Sequence, residues 1–145
     1  MQATTSHPIG YWLIVGLLAF SFGCSGDSID PEYKPVTGTV TLDGQPLANA
    51  QVSFVPFEAG SSGAGFTDQD GVYRLYYAAR RPGAKMGENK VFITKEKPLT
   101  SKRGEFSRMS ESDLELLPAR YNRRTELTAN VTDQTNVIDF ELKSK

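Results

Sequence analysis

The sequence predicts an all-β fold, an antiparallel sandwich built as a single domain. Three observations predict it. Short runs with apolar residues at every second position recur through residues 36–142, the period of a half-buried strand. Asp-Gly, Gly and Pro punctuation separates these runs, as in two packed sheets rather than in alternating strands and helices. The 145 residues, 39% hydrophobic and 23% charged, suffice for one core and exclude collagen-like, coiled-coil and strongly disordered classes.

The chain opens on an address. Residues 1–24 contain no Asp, Glu, Lys or Arg, and residues 9–22 form a largely apolar run. As a helix that run would reach about 21 Å at about 1.5 Å per residue, short of a bilayer core of about 30 Å. It has the length of a signal-peptide hydrophobic region, although no Lys or Arg precedes it. Residues 1–23 are therefore expected to be a signal peptide. Cys24, the one cysteine, follows Gly23 in an arrangement that resembles the bacterial lipobox, with Ser21 and Phe22 departing from its usual residues. A lone thiol in an exported chain has no internal disulfide partner, and acylation of Cys24 accounts for it. The expected location is the cell envelope, anchored to a membrane through lipid on Cys24, or secreted if Cys24 stays unmodified. Ser25 replaces the Asp that retains lipoproteins at the inner membrane of enterobacteria, which points to an outer leaflet.

Residues 24–35 are polar, carry Pro31 and Pro35, and read as a tether after the lipidated cysteine. The period then changes to two. Val36–Leu42 places Val36, Val40 and Leu42 on one face and three threonines on the other, a half-buried strand. Asp43 and Gly44 supply the positive-φ residues of a tight turn. Residues 50–57 form a second strand with Val52 and Phe54 inward, its end demoted to an edge by Pro56. Residues 58–65 read as a Gly/Ser loop. Phe66 and Thr67 lead into Asp68-Gln69-Asp70-Gly71, after which residues 72–77 alternate again and complete a second hairpin. Strands at 90–94, 127–131 and 137–142 finish the set. Tyr121, after Pro118, is placed to pin a corner through its hydroxyl.

The segment 95–117 does not fit the meander. It begins basic, with Lys102, Arg103 and Arg108, and turns acidic at Glu111, Asp113 and Glu115. Ser110 with Asp113 resembles a capping box, so a helical turn is expected near residues 111–116. Long connections of this kind are functional or solvated. As a contact surface, its charged candidates are Lys102, Arg103 and Arg108.

Val36-Thr37-Gly38-Thr39-Val40-Thr41-Leu42-Asp43-Gly44-Gln45-Pro46-Leu47-Ala48-Asn49-Ala50-Gln51-Val52-Ser53-Phe54 resembles the opening of carboxypeptidase regulatory-like domains, and Thr67-Asp68-Gln69-Asp70-Gly71-Val72-Tyr73-Arg74-Leu75 resembles their second signature. The resemblance covers residues 36–142. Downstream, Leu117-Pro118-Ala119-Arg120-Tyr121-Asn122 is similar to small exported planctomycete lipoproteins that carry this domain. The resemblance implies a seven-stranded, transthyretin-like Greek-key sandwich. In metallocarboxypeptidases the zinc and its ligands lie in a separate catalytic domain that has no counterpart here.

The residue inventory restricts the chemistry. The one histidine is His7, so past Cys24 there is neither His nor Cys. Ser-His-Asp and Cys-His nucleophilic pairs, histidine zinc sites and thiolate metal sites are therefore excluded from the mature chain. No cofactor and no catalytic residue is expected, and the chain reads as a non-enzyme. A formal net charge of -1 offers no basic excess for nucleic acid. Asp68 and Asp70 have the look of half a calcium loop, but a hairpin turn also explains them, and Arg74 would repel a cation. They are weak metal candidates. Alternation sends Tyr73 and Tyr77 inward and Tyr76 out, so core packing competes with a sugar-stacking strip. The expected function is a non-catalytic envelope lipoprotein module that binds or scaffolds an unidentified protein or wall polymer. The alternative is a small-solute, glycan or calcium binding protein of the envelope.

Overall fold

The computed structural model describes residues 30–78, 80–97 and 115–145. Cys24, Lys102, Arg103, Arg108, Ser110 and Asp113 lie outside the described residues, and with them the expected signal peptide, the lipid site and most of the helical turn expected near 111–116, whose described end, Glu115, sits in an antiparallel bridge instead.

The described residues form thirteen strand segments and one 3-10 turn, Ala119–Tyr121. The first five strands are β1 (Tyr33–Lys34), β2 (Val36–Leu42), β3 (Gln45–Pro46), β4 (Gln51–Pro56) and β5 (Gly63–Phe66). Then come β6 (Val72–Arg74), β7 (Tyr76–Tyr77), β8 (Arg81–Pro82), β9 (Ala84–Lys85) and β10 (Gly87–Thr94). β11 (Thr128–Val131), β12 (Asn136–Val137) and β13 (Phe140–Leu142) complete the chain. One sheet is antiparallel throughout, in the order β11-β10-β4-β5-β7-β8. The second is centred on β2, and β1 pairs with β9 in a separate two-stranded ribbon.

The two larger sheets form a β-sandwich because each has one apolar face. Val52, Phe54, Val91, Ile93 and Val131 of the first sheet share a core with Val36, Val40, Tyr73, Phe140 and Leu142 of the second. Phe54 meets Phe140 edge-on across this core, with ring centroids 6.2 Å apart. The alternation expected at Val36–Leu42 holds, and the turn after it is built on left-handed Asp43 (φ 50) and Gly44 (φ 82). The Tyr121 hydroxyl accepts the Lys143 N–H at 2.9 Å, which ties the 3-10 turn to the C-terminus.

Four expectations need correction. The fold is not wholly antiparallel, because β12 and β13 both run parallel to β2. Alternation specifies which face a residue takes and carries no information about strand direction. Residues 72–77 do not form one strand of a hairpin. They break at Leu75, so that β6 pairs with β2 in one sheet while β7 pairs with β5 in the other. Part of the expected Gly/Ser loop is strand β5. Its glycines admit close backbone approach, since a Cβ on Gly63 would lie 2.7 Å from the Gly83 carbonyl oxygen. Pro56 stands where expected, at a strand end unpaired on one side: β4 lies between β10 and β5, but its pairing with β5 stops at Phe54. Phe57 donates its N–H to Glu88 on the β10 side, so the Pro56 nitrogen faces the other way, beyond the last β4–β5 pair, Phe54 and Gly63. Finally, the stretch read as tether ends in structure. Tyr33 stacks on Tyr77 at 3.8 Å and its hydroxyl accepts the Ser61 N–H at 2.7 Å.

Between β12 and β13 the chain makes a junction that holds the second sheet together. Ile138 donates its N–H to Thr37 at 2.8 Å, and its carbonyl accepts the Tyr73 hydroxyl at 2.7 Å. The Asp139 carboxylate then accepts the Thr39 N–H at 2.7 Å, so a side chain continues the ladder where the backbone leaves it. Burial, reinforced by the Asp139 charge, raises the Tyr73 phenol above its ordinary value of 10.0. The folded state therefore favours neutral Tyr73. The stability this contributes is complete below about pH 10 and is lost as pH rises beyond it. Urea titrations at pH 8 and pH 11 should show the loss. Tyr73→Phe should cost about 1 kcal/mol at pH 8 and flatten the alkaline decline.

Candidate functional site

The outer face at β5, β6 and β7 carries the most distinctive surface among the described residues. Gly65 lets β5 run against the hinge between β6 and β7, because any Cβ there would enter the space of the Arg74 carbonyl. This approach brings Phe66 of one strand near Arg74 and Tyr76 of the next two. Thr67 fixes the direction of Phe66. Its buried hydroxyl donates to the Leu47 carbonyl at 2.6 Å and accepts the Ala50 N–H at 2.8 Å, and the residue before it therefore points outward. Phe66 is 68% exposed and Tyr76 45% exposed.

The turn between them is stiff. One Asp68 carboxylate oxygen accepts the N–H groups of Asp70 at 3.0 Å and Val72 at 2.9 Å. Gly71 follows with φ +76, in a place where a Cβ would lie 2.5 Å from the Val40 carbonyl oxygen. Val72, Arg74 and Tyr76 then all face outward, while Tyr73, Leu75 and Tyr77 are buried. A turn after β7 presents Arg80 in a left-handed conformation, φ 66, unusual for a residue with a side chain. Phe66, Asp68, Val72, Arg74, Tyr76 and Arg80 together line an open groove of about 590 Å³. Arg74 and Arg80 form no ion pair and no side-chain hydrogen bond among the described residues.

A second hollow of about 470 Å³ lies on the other side of Phe66, lined by Gln51, Thr94 and Lys95 among others. Here the two ends of the 95–117 connection are stitched together. Glu96 bridges to Glu115, Leu116 donates its N–H to the Lys95 carbonyl at 2.7 Å, and the Glu115 carboxylate accepts the Lys95 N–H at 2.9 Å. Lys95 also donates its ammonium to the Ala48 carbonyl at 2.6 Å. Lys95 and Glu96, at the described start of the connection, thus line a hollow that shares Phe66 with the groove.

No family model matches the chain, and no curated protein matches it. Among solved structures it is similar to a DUF3823 family protein from Parabacteroides merdae, with 17% identity and a TM-score of 0.43. The match covers 77% of this chain, which spans 46% of that structure.

Of the residues singled out from sequence, Asp68 and Asp70 sit together at the turn, and Tyr76 faces outward beside them. Asp68 is engaged by backbone N–H groups, and no group of three or more His, Cys, Asp or Glu side chains that could hold a metal occurs among the described residues. Sequence reasoning missed Phe66 as a surface element and treated Arg74 only as a charge that repels cations. The available signal was Phe66 itself, an aromatic residue immediately before a turn. Its neighbours come from strand pairing that no local pattern reveals. The arrangement offers two rings for a flat apolar face and two guanidinium groups for an anion.

Proposed function

We propose that the chain is a non-catalytic module of the cell envelope, held at a membrane by lipid on Cys24. In this reading it binds or scaffolds an envelope protein or wall polymer through the Phe66–Tyr76 groove. The observation that carries it is that groove: two exposed rings and two arginines with no ion-pair partner among the described residues, on a turn-braced face. Exposed aromatic rings lining a concave groove with a few convergent polar groups mark an interaction site more often than a bare solvent face does. In the same reading Lys102, Arg103 and Arg108 of the 95–117 connection are further partner contacts. The reading includes membership of the carboxypeptidase regulatory-like domains with their seven-stranded, transthyretin-like core. Gly38 and Gly71, which recur in the two signature stretches, stand at close approaches that only glycine permits, and this supports it.

Absence of His and Cys beyond Cys24 supports a role without turnover. The calcium alternative has less support, because Asp68 already spends an oxygen on two backbone donors. Anchoring is tested by fractionating envelopes that express the full chain. The wild type should sediment with membranes and yield an acylated N-terminal peptide beginning at Cys24. Cys24→Ala should move to the soluble fraction. A Cys24→Ala chain still membrane-bound and normally processed contradicts the anchor.

A further inference from the structure

We propose that the Phe66–Tyr76 groove binds a carboxylated polysaccharide, a chain of sugar rings bearing uronate groups. The inference deepens the reading of the groove as a binding face and rests on it. Its warrant is the pairing of two kinds of group that nothing else in the fold uses. Phe66 and Tyr76 expose flat ring surface on adjacent strands of one sheet, the shape that accepts the apolar C–H face of a pyranose. Arg74 and Arg80 flank those rings without any carboxylate partner among the described residues. A guanidinium group recognises a carboxylate through two parallel N–H···O bonds, which matches a uronate better than a neutral sugar. The one acid among the groove's lining residues, Asp68, accepts from its own backbone, and against Arg74 and Arg80 it leaves the lining with a net positive charge.

The backbone at Arg80 points the same way. A left-handed φ of 66 is a conformation that Gly or Asn adopts with less strain, yet the position holds an arginine beside Tyr76. An extended acidic peptide is the competing occupant, and the sheet argues against it. The edge beside Tyr76 is β8, two residues long, and one of them is Pro82, which has no N–H to offer an added strand. Recognition here must run through side chains.

The experiment uses the purified full chain in detergent and measures affinity for polygalacturonate. Fully methyl-esterified polygalacturonate keeps the sugar rings without charge, and poly-glutamate keeps the carboxylates without rings. Polygalacturonate should bind at least about tenfold more tightly than either control. Arg74→Gln with Arg80→Gln, and separately Phe66→Ala with Tyr76→Ala, should each weaken binding by a similar factor. All four side chains are exposed, so thermal melting should stay at the wild-type value, and a variant that melts lower is replaced by Phe66→Leu or Arg80→Lys at the same position. No binding, equal binding of poly-glutamate, or full binding by the ring variant overturns the proposal. If polygalacturonate fails while Phe66 and Tyr76 are protected from radical labelling in native envelopes, the ligand class is wrong and the binding face stands. Failure of both removes the face as well.

Discussion

Gly38→Ala should destabilise the domain by about 3 kcal/mol or more, judged by urea denaturation. An added Cβ would penetrate the Ile138 carbonyl oxygen and also press on the Tyr73 ring. Neither neighbour can retreat freely. Ile138 is held by its N–H bond to Thr37 and by the Tyr73 hydroxyl, and Tyr73 is packed in the core. Displacing the junction therefore breaks hydrogen bonds on both sides of β2 in addition to the steric cost. A cost below about 1 kcal/mol would mean that β12 and β13 do not approach β2 as described.

Phe54→Ala should cost about 3–5 kcal/mol, because its ring is fully buried between the sheets and its removal leaves a cavity. The same residue tests whether the two sheets share one core. In a double-mutant cycle with Phe140→Ala, a coupling of about 0.5–1.5 kcal/mol is expected from the edge-on contact. Additive losses would separate the two rings and with them the two sheets.

Much of the sandwich was legible in local pattern. Val36–Leu42, the Asp43-Gly44 turn and the inward series Tyr73, Leu75 and Tyr77 follow from a period of two and from residues that tolerate positive φ. What was hidden depends on partners far along the chain. Gly63 and Gly65 weaken a strand by their own preference, and only the carbonyls of Gly83 and Arg74 explain them. Nothing local distinguishes a strand at Phe140–Leu142 running with β2 from one running against it. The change of sheet at Leu75 is likewise silent, since alternation continues through it while the hydrogen-bond partner changes from Thr37 to Ala64. The groove shows the same division. Alternation alone turns Tyr76 outward, whereas its juxtaposition with Phe66 and Arg80 comes from the β5–β7 pairing and the turn that follows.

Hydroxyl-radical footprinting of the full chain, purified and in native envelopes, reads whether this groove is the face that meets a partner. Phe57 and Val137, 61% and 69% exposed, serve as internal references, alongside the groove residues Phe66 and Tyr76. In the purified chain all four should be labelled. In envelopes Phe66 and Tyr76 should be protected while Phe57 and Val137 remain reactive. Unchanged labelling of Phe66 and Tyr76, or protection confined to Phe57 and Val137, would contradict the assignment of the binding face.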